Sequence, residues 1–305
     1  MKMMDRTHIF ENARPQLMGI AYRLLGSVTD AQDAVQDTYI KWISRDSAAI
    51  DSPTAWLSRV CINRCLDQLK SANRKRIDYV GQWIPEQIQT EFSESAEDQL
   101  EIAESLTTAF LLLLERLTPK ERAAYLLHDV FAKSFDEVAE ILSLQPANCR
   151  KLATRARQYV AQDSVRHVPD KQKQSDLLSA FHFALQTGDT KRFGEMLRAD
   201  SDLLADSGGK VDAIRDVLEG QTAVCEFISN VLSVAWSKMC IERQMINGSL
   251  GLLVMDGKNI HAAISFAYDA EGRVGHVYIM RHPEKLANFL DTKGLATDTG
   301  ALRIN

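Results

Sequence analysis

The chain has 305 residues, 45% of them hydrophobic and 25% charged, with a formal net charge of −5. That length holds two or three compact domains at about 100–200 residues each, and the composition is that of an ordinary soluble globular protein. No apolar run reaches the roughly 18–20 residues that span a bilayer, and the opening MKMMDRTHIFENARPQ lacks the apolar centre of a signal peptide, so a cytoplasmic location with no membrane partner is expected.

In chain order, apolar residues at helical spacing from Ile9 to Leu24 predict a helix over 7–25, stopped by Gly26. A second helix, 30–43, sets Ala31, Ala34, Val35, Tyr39, Ile40 and Ile43 against an acidic face of Asp30, Asp33 and Asp37. Residues 44–52 read as a loop, and 53–76 as a third helix opened by Pro53. Residues 77–95 carry Gly81 and Pro85 without clean periodicity and read as a linker, followed by a long helix over about 96–116. Thr118-Pro119-Lys120-Glu121 marks a helix start, with Thr as cap, Pro in the first turn and Glu closing a capping box. Helices at about 119–130, 134–142 and 146–160 with tight connections fit a helix-turn-helix.

Residues 161–174 read as a second linker. Helices are expected at 175–187, 189–199 and 219–233, then strands at about 239–247, 249–255, 259–268 and 273–281, the last three as an antiparallel meander. The expected organisation is therefore a helical domain (1–76), an acidic linker (77–95), a helix-turn-helix domain (96–162), a short linker (163–174), an α+β domain (175–290) and a tail (291–305).

Charge is unevenly placed. Residues 53–76 hold six basic residues (Arg59, Arg64, Lys70, Arg74, Lys75, Arg76) and one acid, Asp67; residues 146–158 hold four (Arg150, Lys151, Arg155, Arg157) and no acid. Between them, 77–115 has nine acids and no Lys or Arg. Two basic segments around an acidic one suggest two separate nucleic-acid contacts. The start of a recognition helix points into the major groove, which gives Asn148, Arg150 and Lys151 access to base edges or phosphates, with Arg155 and Arg157 nearer the backbone. On the other basic helix, Lys70 to Arg76 suits phosphates. Asn63 and Arg64 face the nucleic acid there, and Trp56 either belongs to the core or stacks on an unpaired base. The acidic face is a solvated face or a protein-docking face. Five cysteines with no CxxC pair read as reduced structural thiols, and neither a metal nor a cofactor is expected.

YRLLGSVTDAQDAVQDTYIKW resembles region 2.2 of the extracytoplasmic-function sigma factors, SPTAWLSRVCINRCLDQLKSANRKR regions 2.3–2.4, and LTPKERAAYLLHDVFAKSFDEVAEILSLQPANCRKLATRARQ region 4. The resemblance implies that Asp30, Asp33, Gln36 and Asp37 dock on the clamp helices of the polymerase β′ subunit. It implies further that Trp56, Arg59, Asn63, Arg64, Lys70, Arg74, Lys75 and Arg76 melt and read the −10 element of promoter DNA. Residues 146–157 would read the −35 element, and the acidic segment would pass through the polymerase interior.

GQWIPEQI is similar to the WLPEP-type linker motif of a subgroup with a C-terminal SnoaL-like domain, an α+β cone. Asp206-Ser207-Gly208-Gly209 is similar to its DGGG stretch, and RHPEKL to its NPDKL motif. The chain departs from these motifs at Ile84, Gln87, Ser207, His282 and Glu284. The fold class implied is two all-α domains followed by that cone. The subgroup's fused domain regulates sigma activity in place of a separate anti-sigma protein. This suggests an interdomain contact of Trp83, Ile84, Pro85 and Glu86 with His282, Pro283, Glu284, Lys285 and Leu286. A cone encloses a pocket, which leaves small-ligand sensing as a second reading of this domain. Catalysis through Asp206, His261 and His276 is a third, with no motif to fix their geometry. For the whole chain the rival is a DNA-binding repressor with a ligand domain.

Overall fold

A computed structural model describes residues 3–44, 50–77, 79–90, 104–162 and 167–289, with residues 3–5 and 72–77 described by backbone alone. The chain divides into two compact units, one built from 1–77 and 113–162, the other from 78–112 and 163–293. Among the described residues no helix is long and apolar enough to cross a membrane.

The first unit is all helix. It contains α1 (Met3–Leu25), α2 (Val28–Ser44) and α3 (Pro53–Ile77). Gly26, at φ 65°, ends α1 in the left-handed conformation that costs glycine nothing. Phe10, Leu17, Ile20, Leu24, Ala31, Ala34, Val35, Leu57, Cys61, Ile62 and Leu69 form the core. Trp42 is fully buried, and its indole N–H donates to the Arg6 carbonyl at 3.0 Å. Ile40 and Ile43, expected on the inward stripe of α2, are 52% and 39% exposed. The inward positions are instead Val28, Ala31, Ala34, Val35, Thr38 and Trp42, and Ile40 lies one turn beyond Gln36 and Asp37 on the outward side.

The helix α4 (Thr108–Glu115) leads into α5 (Pro119–Tyr125), which runs on through a π turn, Leu126–Val130. Then come α6 (Phe135–Leu142) and α7 (Pro146–Val160). Full capping boxes, Thr118 with Glu121 and Ser134 with Glu137, start α5 and α6. Ser143 takes a left-handed φ of 52° to end α6, and Pro146 opens α7 three residues on. Of the long helix expected over 96–116, the described part begins at Thr108, and 96–103 lie outside the described residues.

The second unit holds a six-stranded sheet in the order β2-β1-β6-β5-β4-β3. Its elements are α8 (Lys171–Thr187), α9 (Lys191–Glu195), β1 (Leu197–Asp206), β2 (Leu218–Glu219), α10 (Gln221–Phe227) and, after a π turn, α11 (Ser233–Ala235). They continue with β3 (Cys240–Ile246), β4 (Ser249–Asp256), β5 (Asn259–Tyr268), β6 (Val274–Met280) and α12 (Pro283–Phe289). The strands β3 to β6 form an antiparallel meander, and β1 joins β6 in parallel.

The structure departs from the sequence expectation at two elements. The helix expected over 189–199 is only five residues long, and a strand follows it. Leu203 and Ala205 on β1 point into one core while Leu204 packs on the other, an alternation that only the sheet imposes. The helix α8 begins at Lys171, inside the stretch expected as linker, because the Asp170 carboxylate caps it through the Lys173 N–H at 2.9 Å.

The two faces of the sheet bury different partners. Ala262, Ile264, Phe266, Val277 and Ile279 pack with Phe181, Phe193 and Trp236 from the helices. Ala263, Ala267, Tyr278 and Met280 pack with Ile84, Ala109, Leu286 and Phe289. So the second face is covered by Ile84 and Ala109, from the segments 79–90 and 104–112, and by α12.

Candidate promoter-binding and linker-docking sites

On α7, Cys149, Ala153, Ala156 and Val160 face inward, which turns Asn148, Arg150, Lys151, Arg155 and Arg157 outward. All five are exposed. Arg157 is engaged by Asp129 at 2.6 Å, and the Arg150 guanidinium lies 5.5 Å from the Phe135 ring centre. Asn148, Lys151 and Arg155 stand beside them with a first turn that carries no acid.

On α3, Trp56, Arg59, Asn63 and Arg64 line one side of a cleft of about 990 Å³ whose other side is α2, through Asp37 and Ile40. Trp56 is half-buried and rests against Trp42 at 5.6 Å, so its ring serves the core on one side and the cleft on the other. Arg64 Nε meets Asp37 Oδ2 at 2.6 Å. One residue expected on DNA and one expected on polymerase are therefore paired with each other. Asp30, Asp33 and Gln36 are exposed on α2. Lys70 pairs with Asp67 at 2.9 Å. The side chains of Arg74, Lys75 and Arg76 lie outside the described residues.

Two buried arginines join the helices of this unit. Arg122 on α5 is 2% exposed, and its Nη1 donates to the Leu24 carbonyl at 2.6 Å and to Glu115 Oε1 at 2.7 Å. Burial brings its pKa down to about 9. Arg23 on α1, also 2% exposed, donates to the Gly19 carbonyl and lies 5.4 Å from the Phe131 ring centre. Burial brings it down to about 10. Both remain charged at neutral pH. The helix α3 packs on α5 and α6 beside them.

In the second unit the linker is docked. Asp206, at the end of β1, has no exposed surface. Its Oδ1 accepts from the Tyr79 hydroxyl at 2.6 Å and the Gly208 N–H at 3.1 Å. Its Oδ2 accepts from the Ile84 N–H at 2.9 Å and Lys285 Nζ at 2.7 Å. Lys285 Nζ also donates to the Ile84 carbonyl at 2.6 Å and lies 4.8 Å from the Trp83 ring centre. Asp206 and Lys285 thus hold both backbone groups of Ile84, and the Ile84 side chain is fully buried. Tyr79 is pushed far up by burial and then by its bond to Asp206, so it stays a donor.

Further along, Gln87 Nε2 donates to Ser265 Oγ at 2.8 Å, and the Ile88 N–H donates to Asn247 Oδ1 at 2.7 Å. Thr108 Oγ1 meets the same Ser265 hydroxyl at 3.1 Å. Pro85 and Glu86 are buried in this run, and Leu286 and Phe289 of α12 flank it. Pro283 opens α12. Glu284 pairs with Lys210, and its carboxyl is held below the ordinary value mainly by that bond. His282 is 7% exposed and stacks on Tyr79 with ring centres 6.4 Å apart.

The contributions of Tyr79, Gln87, Thr108 and Asn247 escaped the sequence reading. A signal existed for Asn247: Asn-Gly at a hairpin takes positive φ, here 49° at Asn247. The proposed acid–base residues do not converge. Asp206 is saturated by Tyr79, Ile84, Gly208 and Lys285, His261 Nε2 meets Arg281 Nη2 at 2.9 Å, and His276 Nδ1 meets Asp202 Oδ1 at 2.6 Å.

A helix-turn-helix with an outward basic face, a helical module with an aromatic cleft, and an α+β unit that grips the segment between them define a multidomain DNA-binding regulator. Residues 9–75 match the model of Sigma-70 region 2, and 107–160 that of Sigma-70 region 4. The ECF RNA polymerase sigma factor SigJ of Mycobacterium tuberculosis is 34% identical over 288 residues, 90% of this chain and 91% of that protein. The probable ECF sigma factor SigI of the same organism is 24% identical, over 90% of this chain and 92% of its own length. The crystal structure of M. tuberculosis SigJ superposes with a TM-score of 0.69 at 31% identity, over 91% of this chain and 97% of that one.

The chain belongs to the extracytoplasmic-function RNA polymerase sigma factors, and its C-terminal unit is a SnoaL-like domain. The family's work is transcription initiation: its members are non-enzymatic regulators that join core RNA polymerase and act on promoter DNA.

Proposed function

We propose that this sigma factor is regulated in cis, with the SnoaL-like domain governing how far the two promoter-binding modules can reach by holding the linker between them. The supporting observation is the clasp of Asp206 and Lys285 on the backbone of Ile84. A linker fastened along 79–90 and again near Thr108 has lost the slack it would have as a free chain. A tethered domain acts at the high effective concentration its tether sets, so no separate protein is needed for this control.

In this reading Asn148, Arg150 and Lys151 contact the −35 element, with Arg155 and Arg157 on phosphates. Trp56, Arg59, Asn63 and Arg64 face the −10 element from the cleft, and Lys70, Arg74, Lys75 and Arg76 neutralise phosphates. Asp30, Asp33, Gln36 and Asp37 dock on the β′ clamp helices, and the exposed Ile40 and Ile43 supply apolar area beside them. Ion pairing of Asp37 with Arg64 gives both residues a partner until polymerase and DNA arrive. A repressor would need none of the surface on α2. Co-purification with core polymerase, lost on charge reversal at Asp33 and Asp37, distinguishes the two.

The cis-regulatory part is tested by run-off transcription with Trp83→Ala, which removes the ring beside Lys285. Altered transcription with core binding retained supports it. Unchanged transcription with unchanged module spacing overturns it.

A further inference from the structure

We propose that the clasp is acid-labile: protonation of His282 opens the contact between the linker and the SnoaL-like domain. The effect on transcription rests on the regulatory reading above; the effect on docking does not.

The His282 ring is enclosed on several sides. It stacks on Tyr79 of the linker, 16° from parallel. Its Cδ2–Nε2 edge lies against Gly208, where a Cβ would come within 2.3 Å of Cδ2. Its Nδ1 is buried and has no hydrogen-bond partner among the described residues. An imidazolium has two N–H donors, so the charged ring would bury a donor without an acceptor.

The charged and titratable neighbours offer no relief. From the linker comes the Tyr79 hydroxyl, already given to Asp206. From β1 and the turn after it come Asp206 and Lys210; from its own helix come Glu284 and Lys285. Each carboxylate here is already bound to a lysine, Asp206 to Lys285 and Glu284 to Lys210. Among the described residues the surroundings are thus two acids matched by two bases, and burial decides the sign. Burial first, then the Lys285 ammonium, holds the His282 pKa below the ordinary imidazole value.

In the undocked state His282 is open to water and titrates near the ordinary value of about 6.5. The docked state therefore binds fewer protons. Docking is at full strength above that value and weakens as pH falls through it toward the lower docked pKa. Tyr79 leaves the ring when the linker lifts, which couples the proton to the clasp rather than to the fold of the sheet.

The test is hydrogen exchange on the full chain, following the Ile84 amide between pH 7.5 and 5.5 after correction for intrinsic rates. The wild type should lose protection by about threefold or more, and His282→Asn, which cannot titrate, should hold it constant. A wild type with constant protection, or a His282→Asn chain that loses protection as the wild type does, overturns the proposal. Should His282→Asn fail to dock, an NMR titration of the His282 ring in the wild type decides: a midpoint below that of a free histidine supports the proposal, and one at or above it refutes it. Exchange reads docking directly. A linker that opens in acid while transcription stays constant therefore supports acid lability and counts against the regulatory reading alone.

Discussion

Lys285 Nζ lies 2.7 Å from Asp206 Oδ2, and the two groups close on opposite backbone atoms of Ile84, more than a hundred residues earlier in the chain. A buried ion pair of this kind gives modest net stability but a steep penalty when one partner is removed. Asp206→Ala leaves the Lys285 ammonium buried without its carboxylate. A loss of about 3–5 kcal/mol is expected, read by urea unfolding of the full chain. A loss below about 1 kcal/mol, the range of an exposed pair, would show that Lys285 escapes to solvent and that the clasp is not closed.

Gly208 has φ 58° and supports the His282 ring. Gly208→Ala meets both a left-handed backbone and a ring edge. The backbone alone costs about 1–2 kcal/mol, and the clash with the ring adds to it. In the His282→Ala background the ring is absent, so the penalty should fall back toward the backbone part. A double-mutant cycle measures this, and equal penalties in the two backgrounds would show that the ring does not press on Gly208.

Arg122 offers a comparable test in the first unit. Its guanidinium satisfies the Leu24 carbonyl, at the end of α1, and Glu115. Arg122→Ala should destabilise that unit by about 3 kcal/mol. Arg122→Met keeps the packing but not the bonds. Combined with Glu115→Gln, which removes the orphaned charge, it should cost less than Arg122→Ala. Thermal unfolding orders the variants.

Capping residues made much of the helical part legible. Thr118-Glu121 and Ser134-Glu137 announce helix starts because the boxes are local, and the outward set on α7 follows from 3.6-residue periodicity. The meander strands β3–β6 are rich in apolar and β-branched residues and are broken by turns at Asn247-Gly248 and Asp256-Gly257. The strand β1 was hidden because Arg198, Asp200 and Asp202 give its first half a solvated look, while its partner β6 lies some seventy residues away. A contact of Trp83, Ile84, Pro85 and Glu86 with His282 to Leu286 was expected only through the family resemblance, and the linker's other partners were hidden for the same reason. Nothing local to Ile84 or Gln87 reveals that Asp206 and Ser265 will satisfy them. Ile40 and Ile43 misled in the opposite sense: apolar and helically spaced, yet turned outward.

On α7, Lys151 and Arg150 should separate by role. With Lys151 on a phosphate, Lys151→Ala weakens binding evenly across sequences and lowers the slope of log K against log salt by about 0.9. With Arg150 on a base edge, Arg150→Ala costs about 1–3 kcal/mol and relaxes preference at one −35 position. Binding to a set of promoter variants at several salt concentrations checks both. Identical behaviour of the two variants would contradict the assignment.

The most direct measurement is run-off transcription by reconstituted holoenzyme carrying Ile84→Asp, run beside the wild type on one promoter. Ile84 has no exposed surface, so a carboxylate there cannot stay docked, while every residue assigned to polymerase or DNA is left as it was. Control in cis through the docked linker predicts a severalfold change in transcript yield at equal core binding, accompanied by a fall in exchange protection along 79–90. Equal yields from the two proteins, with the linker demonstrably released, would contradict it.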